Sequence, residues 1–321
     1  MTISADMQEF HGLPVFEFPE RDDDVDDLPD PASVAWRISG ATYCDPEDEQ
    51  WEQVFARFLA AVDTNQVRAL VVGGWDEAYD SSSAAIVTAL VEAAGDRLAS
   101  LEAVFLGDMT FEDCEISWIQ QSDVTLLLAA YPNLREFGVR GGTGLEFPVV
   151  RHTALRTLVV ETGGLGAEVV RGIAGSDLPA LEKLDLWLGT DEYGGDSSVD
   201  DLAPVLAGTG FPALRDLALR NSVIQDQIAV AVASAPVVAR LDRLDLSMGT
   251  LTDEGAEALL VGQPLTHLTH LDLSHHYLSE KMSERIVDAL TPYGVTVVVD
   301  DAQEPEDDGD GEAFRYVAVA E

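Results

Sequence analysis

The segment Leu241–Met282, LDRLDLSMGTLTDEGAEALLVGQPLTHLTHLDLSHHYLSEKM, contains two copies of one unit. The pattern Leu241-x-x-Leu244-x-Leu246 returns at Leu268, which gives a spacing of 268 − 241 = 27 residues. Self-similarity at a fixed period of this size is typical of proteins in which short structural units stack on their neighbours. The sequence therefore predicts a repeat array.

Each copy contains a short strand followed by a helix. Leu244 and Leu246 alternate with polar residues, which predicts a strand with one buried face. Thr252 is a candidate helix N-cap, and Pro264 ends the helix. The apolar residues of the helix recur at helical spacing: Ala256, Leu259 and Leu260. Since neither element can bury its apolar side alone, we expect the strands to form a parallel sheet with the helices packed behind it.

The helical half of the unit, LTDEGAEAL at Leu251–Leu259, resembles a ribonuclease-inhibitor-like leucine-rich repeat. The resemblance covers roughly Val67–Asp300 and implies an α/β leucine-rich-repeat solenoid, a horseshoe with a concave parallel sheet and convex helices. That family usually carries Asn or Cys at the sixth position counted from the first strand leucine. This chain departs from the family's polar ladder at Trp75, Met109, Gly142, Gly163, Gly189, Ser222, Gly249 and His276.

The same pattern predicts about eight units in residues 65–300, closed by a strand at Val295. Residues 1–64 are predicted to be an N-terminal cap, with a strand at Ser33–Ile38 and a helix at Trp51–Val62. Its opening, FHGLPVFEF, is similar to a family of bacterial leucine-rich-repeat proteins of uncharacterised function, common in actinomycetes. Residues 301–321 are predicted to be an acidic linker and a C-terminal strand, with Phe314–Ala320 pairing to the free edge at Val295–Val299.

The composition is strongly acidic, with 59 acidic against 18 basic residues and a formal net charge of −41. Nucleic acid and anionic membranes would be repelled, whereas a basic partner would be attracted. Two alternative explanations of the acidic composition are a solvated surface that keeps the protein soluble and adaptation to salt. The start shows no secretory signal, no apolar run is long enough to span a membrane, and Cys44 and Cys114 are too few for a disulfide framework, so we expect a cytoplasmic protein. A monomer is predicted.

The residues between and beyond the strand leucines are predicted to face the concave surface, where a horseshoe binds its partners. In the later repeats these positions are acidic and aromatic, and the predicted partner is a protein or peptide, possibly basic. Trp187 is expected to be an exposed anchor, although packing under its own loop stays open as the alternative. The predicted partner-binding residues, including an insertion after Trp187, are Lys183, Asp185, Trp187, Asp191, Glu192, Tyr193, Arg220, Asp245 and Asp272.

The sequence carries weak signals for chemistry. There is no Gly-rich phosphate loop, nucleophile elbow or CxxC motif, so no cofactor or catalytic residue is predicted. The rival hypothesis is a metal-dependent hydrolase or other enzyme that uses His270, Asp272 and Asp245, since further histidines lie nearby at His267, His275 and His276. We predict a non-enzymatic interaction scaffold, by analogy with other proteins of this fold.

Overall fold

The computed structural model describes residues 3–19, 28–42, 49–307 and 313–321. Twelve strands form one sheet in which the strand order follows the chain. They are β1 (Glu9–Phe10), β2 (Leu13–Glu17), β3 (Ala35–Ile38), β4 (Ala69–Val72), β5 (Ala103–Leu106), β6 (Glu136–Arg140), β7 (Thr157–Glu161), β8 (Lys183–Gly189), β9 (Asp216–Ser222), β10 (Arg243–Asp245), β11 (His270–Asp272) and β12 (Thr296–Val298).

Helices connect most of the strands, as the repeat pattern predicts. They are α1 (Trp51–Ala61), α2 (Ala84–Ala93), α3 (Thr125–Ala130), α4 (Ala167–Ala174), α5 (Val199–Ala207), α6 (Gln225–Val232), α7 (Asp253–Val261) and α8 (Glu280–Leu290). The predicted N-cap is confirmed, because the Thr252 hydroxyl accepts a hydrogen bond from the Glu254 amide at the start of α7. None of the helices in the described ranges is long and apolar enough to cross a membrane.

The internal contacts divide the chain into two compact units. The N-terminal unit runs through Pro148 and includes His152–Glu161, and the C-terminal unit comprises Val149–Arg151 and Thr162–Ala320. The predicted boundaries at residues 64 and 300 stay a prediction.

In the N-terminal unit, the hairpin of β1 and β2 covers one face of the sheet. Phe10 packs in a buried cluster with small and apolar residues of β3, β4 and β5, and the rings of Phe10 and Phe105 meet edge to face at 6.0 Å. Val71 and Phe105, predicted to face the concave surface, are therefore buried under the chain's own first residues. The predicted helix at Trp51–Val62 is confirmed as α1, whose Trp51 and Phe58 are fully buried.

In the C-terminal unit, the first leucine within each strand pairs in register with its equivalents across β8 to β11. Leu184, Leu217, Leu244 and Leu271 are all at most 1% exposed. Since successive side chains of a strand point to opposite faces, the residues that alternate with these leucines form the other face of the sheet. We call that surface the polar face.

The prediction of a C-terminal strand at Phe314–Ala320 on the sheet edge is wrong. Only Ala313–Phe314 (β14) forms a strand, which pairs antiparallel with Glu306–Asp307 (β13) in a separate two-stranded sheet. The following residues cross the ends of β9, β10 and β11 instead, where Val317–Val319 become buried. Burial of three consecutive side chains is incompatible with a period-2 strand on a sheet edge. Residues 308–312 of the predicted linker lie outside the described ranges.

Candidate functional site

The polar face of the C-terminal unit carries three rows of side chains set by strand register. The first row holds Lys183, Asp216, Arg243 and His270; the second holds Asp185, Ala218, Asp245 and Asp272; the third contains Trp187 and Arg220. Parallel strands lie about 4.8 Å apart, so each residue is a direct neighbour of the next in its row. Most of the predicted partner-binding residues therefore lie on one surface.

Arg220 lies at the centre of this surface. Its Nε donates to Asp185 Oδ1 at 2.9 Å and its Nη2 donates to Asp185 Oδ2 at 2.8 Å. Nη1 lies 3.6 Å from Asp245 Oδ2, and the guanidinium carbon lies 5.1 Å from the centroid of the Trp187 ring. The bidentate geometry is the strong form of an Arg–carboxylate pair, and it fixes the guanidinium between the carboxylates.

Trp187 is not an exposed anchor. Trp187 is only 8% exposed to solvent, because the guanidinium of Arg220 covers its ring. Burial of Trp187 agrees with the alternative of a packed tryptophan, but the contact that covers its ring is with Arg220 of the neighbouring strand and not with its own loop. Asp185 is also buried, with 2% exposure, so a partner cannot reach either residue on this surface without rearrangement.

Asp245 and Asp272 are the accessible acidic pair of the polar face, with about a fifth to a quarter of each side chain exposed. Burial raises the pKa of Asp245, and the neighbouring Asp272 raises it further, while Arg220 opposes both effects. On the far side of Asp272, His270 Nε2 lies 3.9 Å from the Asp272 carboxylate. Asp245 therefore neighbours both Asp272 and the Arg220 guanidinium, which is already bound to Asp185.

The first row has one carboxylate, Asp216, between the two cations Lys183 and Arg243. Lys183 Nζ lies 3.6 Å from Asp185 Oδ2, and Arg243 Nε lies 3.5 Å from Asp216 Oδ2. Burial raises the pKa of Asp216, while Lys183 and Arg243 lower it. Sequence reasoning missed Asp216 and Arg243, although the residue before each first strand leucine carries a charged or ionisable side chain in four successive repeats.

The insertion after Trp187 faces a different part of the C-terminal unit. Asp191–Tyr193 form a single 3-10 turn that ends at Gly194 in the left-handed region, and Asp191 and Glu192 are exposed. The loop then folds back to the preceding repeat, where Asp196 Oδ1 accepts the Ala167 amide hydrogen at the start of α4. The described contacts do not bring Asp191, Glu192 and Tyr193 onto the polar face.

Two histidines of the predicted cluster, His276 and His267, bind backbone groups. His276 is 1% exposed; its Nδ1 accepts the Leu278 amide hydrogen, and its Nε2 lies 3.0 Å from the Val299 carbonyl. His267 Nε2 lies 2.8 Å from the Val238 carbonyl. Over the described ranges, no group of three or more His, Cys, Asp or Glu side chains is arranged to hold a metal ion. The geometry therefore gives the hydrolase hypothesis no support.

These features define an α/β leucine-rich-repeat solenoid, as the sequence predicts. A family model described as "Leucine Rich repeat" matches residues 241–260. A solved protein from Bacteroides fragilis, determined by the Northeast Structural Genomics Consortium, is similar to this chain with a TM-score of 0.72 and 30% identity over 78% of this chain and 70% of its own. The chain belongs to the leucine-rich-repeat family. No curated protein matches it.

Proposed function

We propose that the protein is a non-enzymatic interaction scaffold whose polar face binds a basic side chain of a protein or peptide. The leucine-rich-repeat family supports a protein-binding role in general. The observation that carries the proposal is the pair of accessible, neighbouring carboxylates of Asp245 and Asp272.

The chemistry of this pair favours an arginine or lysine from a partner. A second cation would relieve the repulsion between the carboxylates of Asp245 and Asp272, and a guanidinium could donate hydrogen bonds to both of them. The net charge of −41 adds long-range attraction for a basic partner. Because the same charge opposes self-association, the scaffold is proposed to act as a monomer.

The test is the affinity for an arginine octapeptide, measured by titration calorimetry with an alanine–glycine octapeptide as the reference. Asp245→Asn with Asp272→Asn should weaken binding about tenfold or more, because two charge-assisted contacts are lost. The control is Glu284→Gln with Asp288→Asn, which removes the same formal charge from the exposed side of α8.

Equal loss in the two double variants would show that only net charge matters and would overturn the proposed site. Raising the salt from 0.1 M to 1 M should also weaken binding, because the Debye length shortens from about 10 Å to about 3 Å. Binding that strengthens with salt would show that the interface is apolar.

A further inference from the structure

The C-terminal residues of the chain lie in a slot formed by the turns that follow β9, β10 and β11. Val317, Ala318 and Val319 are 7%, 3% and 2% exposed, whereas Tyr316 is 56% exposed. We call Tyr316–Ala320 the tail segment, and the turns that bury it the tail slot. Both lie within the C-terminal unit.

Two side chains of the slot bind the backbone of the tail segment. Each of them binds both the amide N–H and the carbonyl oxygen of one tail residue. Asn221 Nδ2 donates to the Val319 carbonyl at 2.6 Å, and Asn221 Oδ1 accepts the Val319 amide hydrogen at 2.9 Å. The Tyr277 hydroxyl donates to the Tyr316 carbonyl at 3.0 Å and accepts the Tyr316 amide hydrogen at 2.7 Å. Neither pair of hydrogen bonds depends on the identity of the tail side chain.

The slot follows from the repeat itself. Asn221, Met248 and His275 occupy the same position in three repeats, 27 residues apart, and all three have positive φ, at 55°, 66° and 53°. The Met248 carbonyl accepts the Ala318 amide hydrogen at 2.8 Å, and His275 Nε2 lies 3.2 Å from the Tyr316 carbonyl. Three successive repeats thus present polar groups to the backbone of one segment.

From this geometry we infer that the tail slot is a peptide-binding site that the tail segment occupies in cis. Its ligand in trans is a peptide with two valine-like residues two positions apart. Backbone hydrogen bonds supply affinity and buried side chains supply selectivity, as in other peptide-binding sites. A second copy of this chain is disfavoured as the ligand, because each copy carries a net charge of −41. The site is separate from the polar face and does not rest on the function proposed there.

The tail segment must compete with a peptide in trans. A tethered segment acts at an effective concentration of about 1 mM, so a peptide with an intrinsic Kd of about 0.1 mM would bind the intact chain about tenfold more weakly than a chain with an empty slot. Releasing the tail therefore exposes the site, and an added peptide displaces the tail.

The experiment uses a fluorescently labelled peptide with the sequence of Phe314–Glu321, FRYVAVAE, and the full-length chain. The double substitution Val317→Asp and Val319→Asp should eject the tail segment, because two carboxylates would otherwise be buried without partners. By fluorescence anisotropy, this variant should bind FRYVAVAE about tenfold more tightly than the unsubstituted chain. The control peptide FRYDADAE should not bind.

Two further substitutions assign the binding to the slot. In the ejected-tail background, Tyr277→Phe removes only the hydroxyl, and Asn221→Gly removes the amide while keeping a residue that tolerates positive φ. Each should weaken peptide binding about five- to tenfold. Asp245→Asn with Asp272→Asn should leave it unchanged, which separates this site from the polar face.

A measurement on the unsubstituted chain covers the case in which the ejected-tail variant fails to fold. Excess FRYVAVAE should increase hydrogen–deuterium exchange at the amides of Ala318 and Val319 in the protein, because the peptide replaces the tail. Exchange that does not change, or a folded ejected-tail variant that fails to bind the peptide or only dimerises, would show that the tail is a permanent strap and overturn the inference.

Discussion

Arg220→Met should destabilise the protein because it leaves Asp185 buried without its main cation. The Asp185 side chain is only 3% exposed and accepts two hydrogen bonds from Arg220, at 2.9 and 2.8 Å. Removing one partner from a buried ion pair costs about 3–5 kcal/mol. Arg220 is itself 22% exposed, and Lys183 Nζ lies 3.6 Å from Asp185, so we expect the lower end of that range, about 3 kcal/mol.

The measurement is urea-induced unfolding followed by far-ultraviolet circular dichroism. Asp185→Asn combined with Arg220→Met should recover part of the loss, since the unpaired charge is gone. Arg243→Met is the control, because Arg243 is 52% exposed and lies 3.5 Å from Asp216, so its loss should cost less than about 1 kcal/mol. Equal losses for Arg220→Met and Arg243→Met would refute the central role assigned to Arg220.

Three other predictions concern Asp245, Gly189 and Cys114. Burial raises the pKa of Asp245, so lowering the pH from 7 should neutralise Asp245 before an ordinary aspartate and weaken arginine-octapeptide binding in calorimetry. Binding to the Asp245→Asn variant should depend less on pH. Equal pH dependence of binding in the variant and the unsubstituted protein would contradict this. Gly189→Ala should lower the urea midpoint more than Gly194→Ala: both glycines have positive φ, but a Cβ at Gly189 would lie 1.9 Å from the Gly163 carbonyl oxygen, whereas one at Gly194 meets nothing within 4 Å. Burial raises the pKa of Cys114 to about 11, so in a Cys44→Ser background a thiol reagent at pH 8 should label the native protein about a hundredfold more slowly than the urea-unfolded protein, and equal rates would show that the thiol is accessible.

Local sequence pattern was sufficient to predict the repeat. The 27-residue spacing, the alternation around Leu244 and Leu246, and the N-cap at Thr252 are local signals, and each specifies a strand or helix without reference to distant residues. The shared face of Lys183, Asp185, Trp187, Arg220, Asp245 and Asp272 was predictable for the same reason, because identical repeats place equivalent residues in register.

Exposure on that face was decided by tertiary contacts. Trp187 occupies a position that alternation assigns to the surface, yet the Arg220 guanidinium of the neighbouring strand covers its ring. Val71 and Phe105 were likewise assigned to the concave surface, and the N-terminal hairpin buries them. A periodic pattern specifies which way a side chain points, but it contains no information about which other segment covers it.

The C-terminal tail was likewise predictable in part from the sequence and in part only from the tertiary structure. Its aromatic and β-branched residues indicated that the segment docks, and burial of Val317–Val319 confirms this. The sequence did not predict where the tail docks. A strand edge offers unpaired backbone groups to any extended segment, so the edge at Val295–Val299 was also an acceptable place for it. Asn221 and Tyr277, which bind the tail backbone, lie 98 and 39 residues away from their partners Val319 and Tyr316. The sequence by itself determined the repeating unit and the direction of its side chains, whereas only the tertiary structure determined what covers each face, since those contacts join residues far apart in the chain.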